Sequence, residues 1–171
     1  VLAVYENGNW DREEIVSWGD PTYIDMSKYE GTLSVPEEFN IAVNGLITKI
    51  EKQNGNKVFH FENDASRDLF IVGATYYKLY RKKSNDITYN IYYFGDIEIA
   101  EKMYEVASSS IELFSDKIYP YPYKFFNVAP VSADYLGIEY SGMTGLSSEN
   151  IIFNYFYSPK RVYYKRYFSS S

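Results

Sequence analysis

The chain has 171 residues, of which 46% are hydrophobic and 23% are charged, proportions that are ordinary for a globular protein. Its net charge is −6, and no basic cluster extends beyond short runs such as Arg81-Lys82-Lys83, so nucleic acid is not an expected partner. Cysteine is absent and His60 is the only histidine, so this chain alone cannot assemble disulfides or a conventional catalytic zinc site. The 20 tyrosines and 11 phenylalanines favour β-sheet.

The length accommodates one domain or two small ones. No stretch approaches the ~20 apolar residues of a membrane span, so we expect no membrane segment. No signal peptide is visible, which favours a cytoplasmic location. The chain begins at Val1 rather than Met, so its natural start need not be included.

The first thirty residues combine short polar runs with scattered aromatic residues. Gly19-Asp20-Pro21 is a turn signal, because Pro fixes φ while Gly and Asp tolerate turn dihedrals. We expect these residues to serve packing and turn formation rather than chemistry.

Residues 31–94 show a β pattern throughout. Asn54-Gly55-Asn56 and Ser84-Asn85-Asp86 are typical of hairpin turns. Alternation places Phe59 and Phe61 on one face of a strand and His60 on the other, so His60 is predicted to lie on a sheet surface. The predicted strands are Gly31–Val35, Ile41–Ile50, Lys57–Glu62, Leu69–Tyr80 and Ile87–Phe94.

The period of the apolar residues changes at residue 96. From Ile97 to Ile118 they recur at spacings of three and four, which predicts an amphipathic helix of about 23 residues and about 35 Å whose apolar stripe belongs to the core. Asp96 is a suitable N-cap, and Pro120 follows the predicted C-terminus. We therefore place a domain boundary between residues 95 and 96, with β structure before it and α/β structure after it.

Three further elements are predicted after the helix. Phe125–Val131 is typical of a short buried strand, and Ser148–Phe156 of another. Ser158-Pro159 resembles an N-cap followed by Pro at the first helical position, which predicts a helix over Lys160–Phe168.

Between those two strands, Glu139 follows Gly137 inside an otherwise apolar and aromatic segment. A glycine permits close backbone approach by another chain, and a fixed carboxylate beside it suits capture of a cationic group such as a free α-ammonium. The alternative is a surface turn whose glutamate simply faces water.

The segment Asp134–Met143 resembles the G-x-M-E-N or G-G-M-E-Y-P motif of zinc aminopeptidases of the aminopeptidase N and leukotriene-hydrolase type. In that family a helix leads into Y-P-Y-P and then, after a short strand, into the motif. The same order is found here in Tyr119-Pro120-Tyr121-Pro122, Phe125-Phe126-Asn127-Val128 and Gly137-Ile138-Glu139-Tyr140.

Two upstream stretches extend the resemblance over most of the chain. Trp10, Gly19-Asp20-Pro21, Tyr29 and Val35-Pro36 follow the family's W…GDP…Y…VP order. The run Ala65–Phe70 resembles its N-x-R-D-F-A turn, where Arg67 and Asp68 are expected to play a structural role.

The resemblance implies an α+β fold in two parts. Residues 1–95 would form the C-terminal part of an antiparallel β-sandwich-like N-terminal domain, and residues 96–171 the beginning of a thermolysin-like α/β catalytic domain. The H-E-x-x-H motif and its downstream glutamate are absent, so the chain is expected to end before the zinc helix. Zinc would therefore be a cofactor of the full-length parent and would not be bound by this chain.

The resemblance also implies a substrate site without catalytic or metal residues in this chain. Glu139 would anchor the α-ammonium of a peptide, and the backbone of Gly137 and Ile138 would lie alongside the peptide. Tyr140 matches a position where the family has Asn or Tyr, whereas Ile138 in place of Met and Ser141 in place of a frequent Pro depart from the motif. The side chains of Tyr135 and Tyr140 would line the first side-chain pocket or belong to the core.

The expected activity is removal of N-terminal residues from peptides by the full-length parent, with the isolated chain inactive. The competing interpretation is a non-catalytic peptide- or protein-binding module, or a pseudo-peptidase scaffold. An unrelated β-rich domain with a chance motif match is a third. Because an interior cut would expose apolar edges of both domains, we also expect self-association.

Overall fold

The computed structural model describes residues 5–10, 25–133 and 136–148. Within these ranges the chain is mainly β and has one helix, α1. The elements in chain order are β1 (Tyr5–Glu6), β2 (Asn9–Trp10), β3 (Ser27–Pro36), β4 (Asn40–Val43), β5 (Leu46–Gln53), β6 (Asn56–Ser66), β7 (Ile71–Ala74), β8 (Lys78–Ser84), β9 (Ile87–Tyr93), α1 (Ile97–Lys117), β10 (Phe125–Val131), β11 (Gly137–Tyr140) and β12 (Met143–Ser147).

The upstream strands form small antiparallel sheets. One has the order β3-β6-β5, a second pairs β4 with β7, and a third pairs β1 with β2. The predicted turn between β5 and β6 is confirmed, since Asn54 (φ 51°) and Gly55 (φ 76°) both adopt the positive φ that a two-residue hairpin requires. Phe59 and Phe61 are buried while His60 is partly exposed, as the alternation predicts.

The larger sheet is mixed and has the order β11-β12-β10-β9-β8. Its three central strands β9, β10 and β12 are parallel, and both edge strands run antiparallel to their neighbours. The predicted turn between β8 and β9 is also confirmed, because Asn85 (φ 48°) and Asp86 (φ 63°) adopt positive φ. Parallel strands need a long crossover connection, and α1 provides it between β9 and β10.

Helix α1 packs on β9 and β8 and confirms the predicted helix, beginning directly after Asp96. The Asp96 side chain makes no capping hydrogen bond, although the residue occupies the N-cap position. The predicted core stripe is correct only in the middle of the helix. Ile97 and Phe114 near its ends are 49% and 57% exposed, and Ile118, which directly follows the helix, is 77% exposed.

The five-stranded sheet buries a separate apolar cluster on each face, because side chains alternate along its strands. The cluster on the α1 face comprises Tyr89, Ile91, Tyr93, Ala100, Ala107, Ile111 and Val128. The cluster on the opposite face comprises Ala42, Ala74, Tyr77, Tyr92, Ala129 and Met143, with Phe70, Val72 and Tyr140 packed against it. The second cluster joins the sheet to β4 and β7.

The single strand predicted over Ile41–Ile50 is wrong. The chain turns at Asn44, so that β4 pairs with β7 and β5 pairs with β6 in a different sheet. Asn44 is fully buried at this corner, where its side-chain amide donates to Asp68 O at 2.8 Å and accepts from Phe70 N at 2.7 Å. We call the corner formed by residues 43–45 the Asn44 corner.

The single strand predicted over Leu69–Tyr80 is also wrong. Strand β7 ends at Ala74, and β8 begins at Lys78 in the five-stranded sheet. The corner between them contains Tyr77, which is buried and donates its hydroxyl hydrogen bond to Pro130 O. Thr75 and Tyr76 form the exposed turn of this corner, but both residue types are common in strands, so the β pattern runs through it.

The mainly β architecture with antiparallel sheets agrees with the expected fold class, while a following catalytic domain stays a proposal. The five-stranded sheet crosses the predicted boundary between residues 95 and 96, since β8 and β9 precede it and β10–β12 follow it. The predicted turn at Gly19-Asp20-Pro21, the strand beyond Ser148 and the helix over Lys160–Phe168 lie outside the described residues. Within the described ranges, no helix is both long and apolar enough to cross a membrane.

Candidate functional site

Glu139 lies on β11, which forms one edge of the five-stranded sheet within the described part of the chain. It faces Thr144 of β12 in the antiparallel register, and Gly137 faces Leu146. Directly opposite residues share a face of the sheet, and Leu146 packs against the cluster on the α1 face. Glu139 and Gly137 therefore point to the same side of the sheet as α1, at the opposite edge from the strands that α1 covers.

The hydrogen-bond pattern of β11 determines which backbone groups face the open edge. Ser147 N donates to Leu136 O at 3.1 Å, which makes that pair hydrogen-bonded. Bonded and non-bonded pairs alternate along an antiparallel ladder, so Ile138 and Tyr140 bond to β12 while Gly137 and Glu139 do not. The N–H and C=O groups of Gly137 and Glu139 consequently point away from β12, towards the side of β11 that has no neighbouring strand among the described residues.

The carboxylate of Glu139 is exposed and, among the described residues, takes part in no hydrogen bond or ion pair. Its Oε1 atom lies 3.8 Å from the position that a Cβ on Gly137 would occupy. The same Cβ would lie 3.1 Å from Gly145 O, so glycine lets β11 approach β12 closely while the carboxylate lies over the bare Cα. A carboxylate and the four outward backbone groups of Gly137 and Glu139 are thus presented together on one short strand.

Ile138 and Tyr140 point to the opposite face from Glu139. The Tyr140 ring stacks on Phe70 with centroids 4.2 Å apart and an interplanar angle of 11°, and it packs against the buried cluster there. Tyr140 is expected either to line the first side-chain pocket or to belong to the core. The contacts of its ring are those of a core residue. Tyr135 lies outside the described residues.

The turn Ser141-Gly142 between β11 and β12 is held from several sides. Gly142 has a φ of 77° and packs against the Phe125 ring, while its carbonyl oxygen accepts from Asn127 N at 2.9 Å. The Ser141 carbonyl oxygen accepts from the side-chain amide of Asn63 at 3.5 Å. The hairpin that carries Glu139 is therefore attached both to β10 and to β6 of the upstream sheet.

Buried side-chain amides connect this turn to the Asn44 corner. Asn127 Nδ2 donates to Val43 O at 2.6 Å and to Gly45 O at 2.9 Å, and Asn127 Oδ1 accepts from Asn90 Nδ2 at 2.8 Å. The amide of Asn63 also donates to Asn44 O. No buried side-chain nitrogen or oxygen in the described residues is left without a partner.

The sequence motifs assign no role to these asparagines. A usable signal was present, because Asn127 is the one amide in the otherwise apolar run Phe125–Val131, and a buried amide requires partners. The sequence does not indicate which groups bind Asn127, since Val43 and Gly45 contribute only backbone oxygens.

In the described ranges, no three His, Asp or Glu side chains are grouped closely enough to hold a metal ion. His60 lies on the sheet surface, where its Nε2 is 2.7 Å from Glu51 Oε2. Lys49 and, to a smaller degree, His60 hold the pKa of Glu51 below its usual range through hydrogen bonds.

No protein-family model matches the sequence. No curated protein sequence matches it either.

Solved structures of M1 zinc metallopeptidases match the fold. A mutant of the Deinococcus radiodurans enzyme gives a TM-score of 0.57 at 18% identity, covering 73% of this chain and 31% of the other. A two-domain M1 zinc metallopeptidase mutant bound to L-arginine gives 0.58 at the same identity and coverage. The Deinococcus mutant bound to a Tyr-Ser-Ala substrate gives 0.54, again at 18% identity and with 73% and 31% coverage.

The chain thus spans about a third of the length of these structures. At 18% identity, the likeness shows a shared fold. The chain has the fold of part of the M1 zinc metallopeptidases.

Proposed function

We propose that this chain is part of a zinc-dependent aminopeptidase, in which Glu139 anchors the α-ammonium group of a peptide substrate. The observation that carries the proposal is the exposed carboxylate of Glu139 beside the outward backbone groups of Gly137 and Glu139, on an open sheet edge. The shared fold supports the proposal, since the structures that match are zinc metallopeptidases and one holds a tripeptide substrate.

The strand edge supplies the peptide-binding part of the proposal. An extended peptide adds to a sheet edge through main-chain hydrogen bonds, and its side chains alternate between the two faces. The outward groups of Gly137 and Glu139 are spaced as such a pairing requires, while Ile138 directs its own backbone groups to β12. A peptide paired here would run antiparallel or parallel to β11 with its first residue beside the Glu139 carboxylate.

The charge of Glu139 supplies the selectivity. A carboxylate at a fixed place on the edge favours a peptide whose free ammonium group reaches it, and it disfavours one whose nitrogen is acylated and neutral. This restricts the register of the peptide and makes the site an exopeptidase site. The carboxylate takes no part in bond cleavage.

The reacting groups would come from the residues that follow in the parent protein. Zinc held by two histidines and a glutamate would supply an activated water, and a neighbouring glutamate the general base. Among the described residues, α1 packs on β9 and β8 rather than on β11, so α1 itself does not cover the face beside Glu139. We therefore expect the isolated 171-residue chain to be inactive.

The test has two steps. Sequencing the source gene beyond the codon for Ser171 should reveal H-E-x-x-H and a later glutamate. The purified full-length protein should then hydrolyse an aminoacyl substrate in a zinc-dependent reaction and leave its N-acetylated form intact. A stop codon, or a helix without those ligands, would instead support the peptide-binding module or pseudo-peptidase scaffold, and zinc-dependent turnover by the 171-residue chain would contradict the truncation.

A further inference from the structure

We infer that Asn63 and Asn127 are positioning residues for the Glu139 hairpin, so that the upstream β segment sets the place of the substrate anchor. The functional part of this inference rests on the proposed aminopeptidase role of Glu139. The structural part concerns the β11–β12 hairpin alone and can be tested without activity.

The β11–β12 hairpin is short. Strand β11 has four residues and β12 has five, and β11 has a neighbour on only one side within the described residues. A short edge strand is weakly held by its own ladder, so contacts at the turn have a large influence on where it lies. Ser141 and Gly142, which form that turn, follow Glu139 by two and three residues.

Both turn carbonyl oxygens are hydrogen-bonded to asparagines. Ser141 O accepts from Asn63 Nδ2 at 3.5 Å, and Gly142 O accepts from the backbone N–H of Asn127 at 2.9 Å. The two asparagines belong to β6 and β10, which lie in different sheets.

The same asparagines meet again at the Asn44 corner. Asn63 donates to Asn44 O, and Asn127 donates to the carbonyl oxygens of Val43 and Gly45. Three consecutive carbonyl oxygens of the upstream segment therefore accept from the side chains of two residues that also contact the hairpin turn. Asn63 reaches the turn through the same side-chain amide, and Asn127 reaches it through its backbone N–H. Asn63 and Asn127 are only 3% and 2% exposed, so losing a donor leaves a carbonyl oxygen buried without a partner.

The alternative to a positioning role is a general contribution to stability. The two roles differ in which part of the chain loosens when an asparagine is replaced. A positioning role predicts loosening confined to the hairpin and the Asn44 corner, whereas a general role predicts equal loosening of distant elements such as α1 and the β5–β6 hairpin.

The structural test is hydrogen exchange of the 171-residue chain. Asn127→Asp keeps the size of the side chain and the oxygen that accepts from Asn90, but it removes both donors to the Asn44 corner. We expect amide exchange over residues 137–147 to rise about 30-fold, equivalent to about 2 kcal/mol, because two hydrogen bonds are lost, with exchange in α1 unchanged. Asn63→Ala is the milder second variant, should Asn127→Asp fail to fold.

Asn40→Ala is the matched control. Its amide also donates to a backbone carbonyl oxygen, that of Tyr77 at 2.8 Å, but it contacts neither the turn nor the Asn44 corner in the described structure. It should leave exchange over residues 137–147 unchanged. Unchanged exchange in folded Asn127→Asp and Asn63→Ala, or an equal rise throughout the chain, would overturn the positioning role.

The functional test uses the full-length protein after its wild-type aminopeptidase activity has been established. Asn63→Ala and Asn127→Asp should raise KM more than they lower kcat, and they should reduce the preference for free over N-acetylated substrates. If the wild-type protein is inactive but the two variants still loosen the hairpin, the proposed function is overturned and the positioning role is kept. An active variant with unchanged KM and unchanged preference would overturn the link to substrate binding.

Discussion

A Cβ atom on Gly142 would lie 2.9 Å from Cζ of the Phe125 ring, closer than real Cβ atoms approach a ring carbon. Gly142 also has a φ of 77°, in the region that side chains other than glycine rarely adopt. Phe125 is itself buried and cannot move away at low cost. The turn after Glu139 therefore requires glycine for two independent reasons.

We expect Gly142→Ala to lower the free energy of unfolding by about 2–4 kcal/mol, combining left-handed strain with overpacking against Phe125. Gly55→Ala is the control, because Gly55 has nearly the same φ of 76° but nothing within 4 Å of the added Cβ. It should cost only about 1 kcal/mol. Urea unfolding of both variants measures the difference, and equal losses would show that the ring contact contributes nothing.

Glu139→Ala in the full-length parent should lower kcat/KM on an aminoacyl substrate at least ~30-fold. Removing one partner of a desolvated charge pair costs roughly 2–5 kcal/mol, and 1.36 kcal/mol corresponds to a factor of ten. Glu139→Gln keeps the shape and removes only the charge, so it should lose most of the same efficiency. Glu112→Ala, an exposed glutamate on α1, is the control. Parental kinetics in both Glu139 variants would exclude the anchor role.

The stability of the fold should fall in strongly alkaline solution. Burial raises the pKa of Tyr92 to about 12, and Arg81 opposes this only in part. Below pH ~10 Tyr92 is neutral in the folded and the unfolded chain alike, so its full contribution to the free energy of unfolding is present there. Between about pH 10 and 12 only the unfolded chain loses the proton, so the free energy of unfolding falls by about 3 kcal/mol.

Urea unfolding from pH 8 to 12 measures this dependence. Tyr92→Phe should make it shallower, because phenylalanine has no proton to lose, while Tyr77 and Tyr121, whose pKa burial also raises, keep the rest of the dependence. Tyr119→Phe removes a hydroxyl from a side chain that is 75% exposed. It should show the same pH dependence of the free energy of unfolding as the parent. An unchanged slope in Tyr92→Phe would assign the alkaline transition to other groups.

Self-association of the isolated chain stays a prediction, and α1 offers an apolar surface for it. Val106, Leu113, Phe114 and Ile118 are each more than half exposed on this helix. Phe114→Glu should weaken self-association about tenfold in sedimentation experiments, since burying such a side chain contributes about 1.5–3 kcal/mol. Gln53→Glu adds the same charge at an exposed position on β5, away from α1, and should have no effect. A parent chain that is monomeric at high concentration would contradict the prediction.

The sequence predicts best the elements whose signals are local. The bounds of β10 match the predicted Phe125–Val131, because a compact apolar run ends at polar residues on both sides. Two hairpin turns follow from Asn54-Gly55 and Asn85-Asp86, whose residues tolerate positive φ. Helix α1 follows from its periodicity, although the sequence could not indicate how far the sheet beneath it extends.

The errors arise where a corner is buried. Asn44-Gly45 is a strong turn signal, but the apolar residues on both sides led to one strand over Ile41–Ile50. The corner before Tyr77 consists of Thr75 and Tyr76, which favour β structure and therefore give no turn signal. Both corners are fixed by partners distant in sequence, Phe70 for Asn44 and Pro130 for Tyr77, and a local pattern contains no information about them.

At the candidate site, the position of Glu139 beside Gly137 was readable from spacing, whereas the support of the hairpin was not. The open edge depends on the strand order, which places β11 outside β12 although it comes earlier in the chain. The attachment to the Asn44 corner depends on backbone oxygens of Val43 and Gly45, which every residue type would supply.

The strand order also determines how this protein can be divided for expression. A gene fragment that begins at Asp96 would remove β9, the parallel partner of β10, and expose the side of β10 that β9 normally satisfies. A fragment that begins ahead of Lys78 would retain the β8–β9 hairpin and a complete five-stranded sheet, yet it would lose Asn63 and the Asn44 corner. The smallest independently folding unit that keeps Glu139 in place should therefore start before β3.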